Sequence, residues 1–256
     1  MNNEKNNEID KKRNYEVVKH NDLIQKSKYD LSTQEQKIIL YLISKVKPGD
    51  EDFKLYEFEI KEFCRVCGID DDNGKNYADL KKSIQGLADK SGWIKIDDKR
   101  QVLFRWVEYA EILSGSGIIK IRLATDMKPY LLELKKHFTS YKLFYILAMK
   151  GKYSIRLYEI LKSYEALEKC EFEIERLKTL LGASAYDVFA NFRYWVLDAA
   201  IREINAYSDV SVTYELKKEG RKYKSVEFSI TPKYKLDPFE SFKVLENIKF
   251  RLDGIQ

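Results

Sequence analysis

An internal repeat constrains the fold of this chain more than any other feature of its sequence. The stretch YEFEIKEFCRVCG begins at Tyr56, and the related stretch CEFEIERLKTLLG begins 114 residues later, at Cys170. Both contain Glu-Phe-Glu-Ile, then apolar residues at the spacing of a helix, then a glycine. In a chain of 256 residues, a repeat at this distance predicts two folded modules of ordinary domain size.

The residues before each repeated stretch predict a helix. The segment IILYLI at 38–43 corresponds to IRLYEI at 155–160, and both show the apolar pattern of a helix that faces a core. Ser32 and Glu35 form a capping-box pattern at the start of the first of these helices, and Pro48-Gly49 follows its end.

The repeated stretch itself predicts a short strand and a short helix, which ends at Gly68 in the first copy and at Gly182 in the second. A turn and a longer helix follow in each copy. The apolar residues of the two longer helices correspond in position: Leu80, Ile84 and Leu87, then Leu197, Ile201 and Ile204. Alternating apolar residues next predict strands, at 93–96, 102–109 and 118–123 in the first copy and at 210–216 and 226–230 in the second.

The predicted order of elements is helix, strand, helix, turn, helix and β-hairpin, which is the order in a winged helix. The sequence therefore predicts an α+β fold with two tandem winged-helix domains related by an internal repeat. The predicted regions are a polar N-terminal segment at 1–28, an N-terminal winged helix at 29–125, a helical connector at 126–150, a C-terminal winged helix at 151–232 and a helical tail at 233–256. Winged helices bind protein as well as DNA, so the fold alone leaves both functions open.

Hydropathy argues against a membrane protein. The longest apolar run, at 143–149, is too short to cross a bilayer. The first 14 residues are polar, whereas a secretory signal would need an apolar stretch there. We therefore predict a cytoplasmic protein that does not bind membranes. The net charge of +5 is too small to indicate a partner by itself.

The sequence does not predict a metal or a cofactor. Cys64 and Cys67 form a CxxC pattern, but a zinc site needs four ligands. The chain offers one further cysteine and two isolated histidines, His20 and His137. Both cysteines of the pattern fall on apolar positions of the repeat, so core packing is the simpler interpretation.

The sequence also lacks two catalytic motifs that would indicate an enzyme. A nucleotide-binding loop needs GxxxxGK followed by Ser or Thr, but Gly74-Lys75 and Gly151-Lys152 are followed by Asn and Tyr. A rolling-circle initiator needs a His-hydrophobe-His motif, and the two histidines here lie 117 residues apart. We therefore predict that the chain is not an enzyme.

Basic residues in the second copy indicate DNA binding. The predicted hairpin turn concentrates cations suited to phosphate contacts: Lys217, Lys218, Arg221, Lys222 and Lys224. Apolar residues of the long helix are predicted to face the core: Phe192, Val196, Ala200 and Ile204. Residues on the other faces are candidates for DNA contacts: Asn191, Arg193, Tyr194 and Arg202. A solvated helix face would carry similar residues, so the helix alone leaves that alternative open.

The first copy gives a weaker indication of DNA binding. Its predicted turn carries three anions, Asp70, Asp71 and Asp72, where a phosphate would approach. Cations follow on the helix: Lys75, Lys81 and Lys82. We therefore expect this copy to make backbone contacts or protein contacts rather than to read bases.

Five longer segments, taken together in their order and spacing, are similar to a known protein family: VKHNDLIQKSKYDLSTQEQKIILYLIS, KPYLLELKKHFTSYKL, SIRLYEILKSY, NFRYWVLDAAIREIN and KKEGRKYKSVEFSI. With these segments, from about Asn21 to Ile230, the chain resembles the initiator replication (Rep) protein family of iteron-containing plasmids. By position, the recognition helix of that family falls on 191–205 and its basic wing on 217–224. The chain departs from some relatives by having Tyr194 and Trp195 in place of an arginine-rich helix start.

The resemblance implies a non-enzymatic protein that binds direct repeats (iterons) in double-stranded DNA at a plasmid origin. It implies that the protein helps to open the duplex and recruits host replication proteins, such as a helicase or an initiator. It further implies a monomer that initiates, in equilibrium with a homodimer that forms through the N-terminal domain and represses its own promoter at an inverted repeat. The alternative is a tandem winged-helix transcriptional repressor without a role in initiation, which would bind an inverted repeat alone.

Overall fold

The computed structural model describes residues 2–47, 49–67, 74–113, 115–132, 134–235 and 238–254. Its α-helices are α1 (Asn2–Arg13), α2 (Asn21–Gln25), α3 (Thr33–Ile43), α4 (Ile60–Val66), α5 (Gly74–Asp89), α6 (Lys128–Leu131), α7 (Leu143–Leu147), α8 (Lys152–Lys162), α9 (Ile174–Leu181), α10 (Phe189–Phe192), α11 (Ala199–Tyr207) and α12 (Pro238–Asp253). A π-helical turn, Arg193–Asp198, joins α10 to α11. The strands are β1 (Glu16–His20), β2 (Ser27–Lys28), β3 (Tyr56–Glu59), β4 (Ser91–Lys95), β5 (Gln101–Arg105), β6 (Val107–Leu113), β7 (Ile118–Leu123), β8 (Phe138–Lys142), β9 (Lys169–Glu173), β10 (Val210–Glu219) and β11 (Lys222–Pro232).

The second repeat is a winged helix, as the sequence predicts. Its elements follow in the order α8, β9, α9, the long helix and the hairpin β10–β11. Strand β11 pairs antiparallel with both β10 and β9, and Phe172 lies opposite Val226. Gly182 ends α9 in the left-handed conformation, at φ 66°, which favours glycine over residues with a Cβ atom.

The first repeat has the same plan with one additional hairpin. Strand β7 pairs with β3 and β6, and Phe58 lies opposite Ile119, as Phe172 lies opposite Val226 in the second repeat. The hairpin β6–β7 is therefore the wing of this repeat. Hairpin β4–β5 pairs instead with β2 in a separate sheet.

The prediction of a single strand at 102–109 is wrong. The strand is interrupted at Trp106, so that β5 and β6 belong to different sheets. The Trp106 side chain is completely buried and packs edge-on against the rings of Tyr29 and Phe104, each with a centroid distance of 4.9 Å. Burying this large side chain turns the backbone from one sheet to the other.

The predicted start of α3 is confirmed. Ser32 Oγ accepts a hydrogen bond from the Glu35 backbone N–H at 3.3 Å, and Glu35 Oε2 accepts one from the Ser32 N–H at 2.6 Å. The capping box therefore satisfies two backbone donors at the helix start. Pro48 and Gly68, which were predicted to follow α3 and to end α4, lie outside the described residues.

The stretches 1–28 and 126–150 contribute strands and core residues as well as helices. Strand β1 of the first pairs antiparallel with β8 of the second, with Val17 opposite Tyr141. Val17, Leu23 and Ile24 are fully buried. The stretch predicted as a polar N-terminal segment thus supplies apolar residues to the core, and the stretch predicted as a helical connector also contains a strand.

A buried polar cluster connects the N-terminal half to α8. Lys19 Nζ donates to Glu159 Oε1 at 2.7 Å, and both side chains are 1% exposed. Tyr141 Oη donates to the same oxygen at 2.6 Å, and burial, followed by the nearby Glu159 charge, raises the pKa of Tyr141 well above its usual range. On the preceding turn of α8, Arg156 donates to the carbonyl oxygens of Ile24 and Ser27, at 2.7 and 3.1 Å.

We predict that the Lys19–Glu159 ion pair matters for stability much more than an exposed pair between the same halves. Lys19→Met should lower the free energy of unfolding by about 3–5 kcal/mol, because it leaves the Glu159 carboxylate buried without its countercharge. The control is Lys152→Met, which removes the 2.8 Å ion pair with the exposed Asp30. This change should lower the free energy of unfolding by at most about 1 kcal/mol. Denaturant titration measures both, and equal small losses would contradict the prediction.

Candidate nucleic-acid interface

The long helix of the second repeat exposes the candidate contact residues and buries the predicted core residues. Buried residues recur every four positions: Phe192, Val196, Ala200 and Ile204. The side chains of the predicted contact residues are exposed to solvent: Asn191, Arg193, Tyr194 and Arg202. With α9 and the intervening turn, this helix forms a helix-turn-helix whose second helix can enter a major groove.

The π-helical turn at Arg193–Asp198 was not predicted from the sequence. A regular helix has about 3.6 residues per turn, so a four-residue interval drifts around the axis by roughly 40° at each step. The wider turn absorbs this drift, because its i→i+5 bonds accommodate one additional residue. Leu197, next to Val196, is also fully buried, as in a regular helix, so the apolar pattern of the sequence gave no clear signal for the wider turn.

Arg193 belongs to a hydrogen-bonded network that connects the helix to the wing. Its Nε donates to Tyr214 Oη on β10 at 3.0 Å, and Tyr214 Oη donates to Asp198 Oδ1 at 2.6 Å. Burial, followed by the hydrogen bond to Asp198, raises the pKa of Tyr214, so its hydroxyl keeps the proton that it donates. The Arg193 side chain is half exposed, and its terminal nitrogens have no hydrogen-bond partner among the described residues. The network thus orients a guanidinium group whose outer edge remains free to donate.

The five cations of the wing differ in their surroundings. Lys217 Nζ lies 2.7 Å from a Glu171 carboxylate oxygen and 2.8 Å from one of Glu227. These hydrogen bonds, Glu171 first, raise the pKa of Lys217. Lys224 pairs with Glu219 at 2.5 Å. Both ammonium groups are therefore paired with carboxylates of the same sheet, at positions about half exposed to solvent.

The remaining wing cations are more available. Lys218 Nζ lies 4.7 Å from the centre of the Tyr223 ring. Arg221 and Lys222 are exposed at the tip of the hairpin, and neither side chain has a charged or hydrogen-bonding partner in the described part of the chain. A phosphate group would meet these two cations without having to displace a carboxylate.

An aromatic contact holds the wing beside the start of the long helix. The rings of Phe189 in α10 and Tyr223 in β11 lie 4.7 Å apart, with 30° between their planes. An aromatic pair of this kind is stabilised by the relative orientation of its rings as well as by the apolar area that it buries. The wing tip and the N-terminal end of the helix are therefore positioned together.

The candidate residues of the first repeat are only partly described. Lys81 and Lys82 are exposed on α5, whereas Asp70 to Asp72 and the side chain of Lys75 lie outside the described part of the structure. The additional hairpin β4–β5 was missed as a separate element. Two of the cations at its end are paired locally, Lys95 with Asp98 at 2.8 Å and Arg100 with Asp97 at 3.7 Å.

The described residues provide neither a membrane span nor a metal cluster. No helix among them is long and apolar enough to cross a bilayer. They also contain no group of three or more His, Cys, Asp or Glu side chains that could hold a metal ion. Cys64 and Cys67 are buried, as predicted from the repeat, and burial raises the pKa of Cys67 to about 12. A buried thiol of this kind is a poor nucleophile.

Comparison with known proteins gives consistent similarities. The family model described as "Initiator Replication protein, WH1" matches residues 16–162, and the model described as "Initiator Rep protein, WH2" matches residues 173–230. A replication initiation protein from Escherichia coli is 26% identical over an alignment of 241 residues, which covers 89% of this chain and 72% of that protein. A crystal structure of the Pi initiator protein in complex with iteron DNA has a similar fold. That similarity has a TM-score of 0.70 at 19% identity and covers 86% of this chain and 98% of the other.

We predict that the wing cations contribute unequally to DNA binding. Arg221→Ala and Lys222→Ala should each reduce the slope of log affinity against log salt concentration by about 0.9, the value for one phosphate contact. Lys217→Ala is the matched control and should leave the slope nearly unchanged, because two carboxylates already hold its ammonium group. Equal reductions for all three variants, measured by salt titration of binding, would contradict this division.

Proposed function

This chain belongs to the initiator replication protein family, and from that premise we propose that it starts plasmid replication by binding iteron direct repeats at the origin as a monomer. The observation that carries the proposal is the pairing of an exposed helix with an adjacent basic wing in the second repeat. Exposed polar and aromatic side chains on the helix suit base contacts, and the uncompensated cations Arg221 and Lys222 suit the flanking phosphates.

The two repeats divide the contacts in this proposal. In the second repeat, the helix residues contact base edges in the major groove: Asn191, Arg193, Tyr194 and Arg202. In the wing, Lys218, Arg221 and Lys222 contact the flanking backbone, whereas carboxylates of the protein already hold Lys217 and Lys224. In the first repeat, cations of α5 contact the backbone without reading sequence: Lys75, Lys81 and Lys82.

Regulation and recruitment complete the proposal. A homodimer that forms through the N-terminal half represses the promoter of its own gene at an inverted repeat. The monomer on the iterons recruits a host helicase or initiator in the cytoplasm, and the chain itself catalyses no reaction. Repression without initiation is the less favoured function, because the matching family models describe initiators.

A footprint on the DNA that flanks the gene tests the proposed target. We expect the chain to protect several direct repeats of one orientation at regular spacing, because each monomer reads one repeat. An Arg221→Ala/Lys222→Ala double variant is the control, and it should give the same pattern of protection only at a higher protein concentration. Protection of one inverted repeat and nothing else would leave repression as the function.

We predict that the Arg193 network sets preference at one base position. Arg193→Ala should weaken binding to the cognate repeat by about 1–3 kcal/mol and relax preference at that position, with much less effect on random DNA. Tyr214→Phe keeps the ring but removes the hydroxyl that holds Nε, so it should relax the same position to a smaller degree.

The matched control for Tyr214→Phe is Tyr223→Phe, which removes a hydroxyl on the wing and keeps the ring that stacks on Phe189. Its base preference should stay unchanged. Binding assays with every base substitution in one repeat measure all three variants. If Arg193→Ala weakens cognate and random DNA equally, then Arg193 contacts phosphate and does not read a base.

A further inference from the structure

Two large aromatic side chains stand exposed in the middle of the helix-turn-helix. Tyr194 is 54% exposed and Trp195 is 61% exposed. Their rings pack edge-on against each other, with a centroid distance of 4.7 Å. Tryptophan is highly buried in most folded proteins, so an exposed pair of this size indicates a surface that another molecule covers.

The position of the pair identifies the molecule that covers it. Val196 and Leu197, the next two residues, are fully buried, so Tyr194 and Trp195 project away from the core on the helix that would enter a major groove. Arg193 precedes them and is held toward the wing by Tyr214. On the other side, Trp195 lines a surface groove together with Ala199 and Arg202. Arginines therefore flank the aromatic pair on both sides, with Asp198 3.7 Å from Arg193 and Glu203 in the same groove as Arg202. Together with the exposed cations of the adjacent wing, these arginines favour a polyanionic duplex over an apolar protein surface.

The chemistry of the major groove then limits what an aromatic pair can contact there. Base edges in this groove present hydrogen-bond donors and acceptors, and the one apolar group among them is the 5-methyl group of thymine. Asn191 and Arg193 can read polar edges, whereas the indole face and the ring edges of this pair suit a methyl group.

We propose that Tyr194 and Trp195 form an apolar contact that reads thymine 5-methyl groups within each repeat. The inference rests on the proposed function, because it assigns part of the sequence preference of the same helix. It identifies thymine as the base that this chain selects at the centre of the helix contact.

Replacement of thymine by deoxyuridine tests the contact directly. Deoxyuridine lacks the 5-methyl group and keeps the same hydrogen-bonding groups. Binding of the full chain is measured by fluorescence anisotropy on a labelled duplex that carries the footprinted repeats, once with thymine and once with deoxyuridine throughout. The wild-type chain should bind the deoxyuridine duplex more weakly, by about fourfold for each methyl group contacted.

The variants decide whether the pair is responsible for that loss. Trp195→Ala and Tyr194→Ala should bind the thymine duplex more weakly and respond less to deoxyuridine, and the double variant should bind both duplexes with nearly equal affinity. The matched control is Trp93→Ala, which truncates a tryptophan of β4 that is 48% exposed and should keep the wild-type ratio. Because both targets of the test are exposed, their truncation leaves no core cavity, and thermal unfolding should be nearly unchanged.

The outcomes separate this inference from the proposed function. If the wild-type chain binds the repeats in preference to scrambled DNA but tolerates deoxyuridine fully, the methyl contact is refuted and the proposed function remains. An undiminished response to deoxyuridine in the double variant would also refute it, since other residues would then read the methyl groups. Equal binding to repeats and scrambled DNA would refute both the inference and the proposed function.

Discussion

The arrangement of the two repeats depends on the hydrogen bonds that the buried carboxylate of Glu159 accepts. This carboxylate accepts from Lys19 on β1 and from Tyr141 on β8, while its own helix, α8, is the first helix of the second winged helix. A buried carboxylate is tolerated only with partners in place, so β1, β8 and α8 must assemble together. The second winged helix therefore packs in one orientation on the N-terminal half, and the family model for the first winged helix also extends through α8.

The C-terminal helix α12 reinforces the same arrangement. Arg13 of α1 donates to Asp253 at 2.7 Å and to the carbonyl oxygens of Arg65 and Val66. Arg251 lies 3.6 Å from Glu203 of α11, and Glu203 accepts from the backbone N–H of Gly151 at 2.9 Å, just before α8. The tail, to which the sequence assigned no role, thus joins the first helix of the chain to the long helix of the second repeat.

The sequence predicted those features that depend on neighbouring residues. The repeat predicted both winged helices, Ser32 and Glu35 predicted the start of α3, and Gly182 predicted the end of α9. Features set by distant partners could not be predicted in this way. The sequence places five cations in the wing, but Glu171, which neutralises Lys217, is 46 residues away and meets it only because β9 pairs with β11. The interruption at Trp106 likewise depends on Tyr29, which lies in another part of the chain.

In the proposed function, one repeat reads sequence and the other does not, and a fixed connection between them supports that arrangement. When two binding modules are held in a fixed geometry, binding by one raises the effective concentration of the other at its own site. Backbone contacts from Lys81 and Lys82 in the first repeat would therefore increase the affinity of the second repeat without any base contact of their own. Under that proposal the first repeat can keep local ion pairs on its additional hairpin, and base contacts are required only of the helix that carries Tyr194 and Trp195. The buried Lys19–Glu159 pair makes this division of labour possible, because a flexible linker would weaken the coupling as the number of accessible orientations grows.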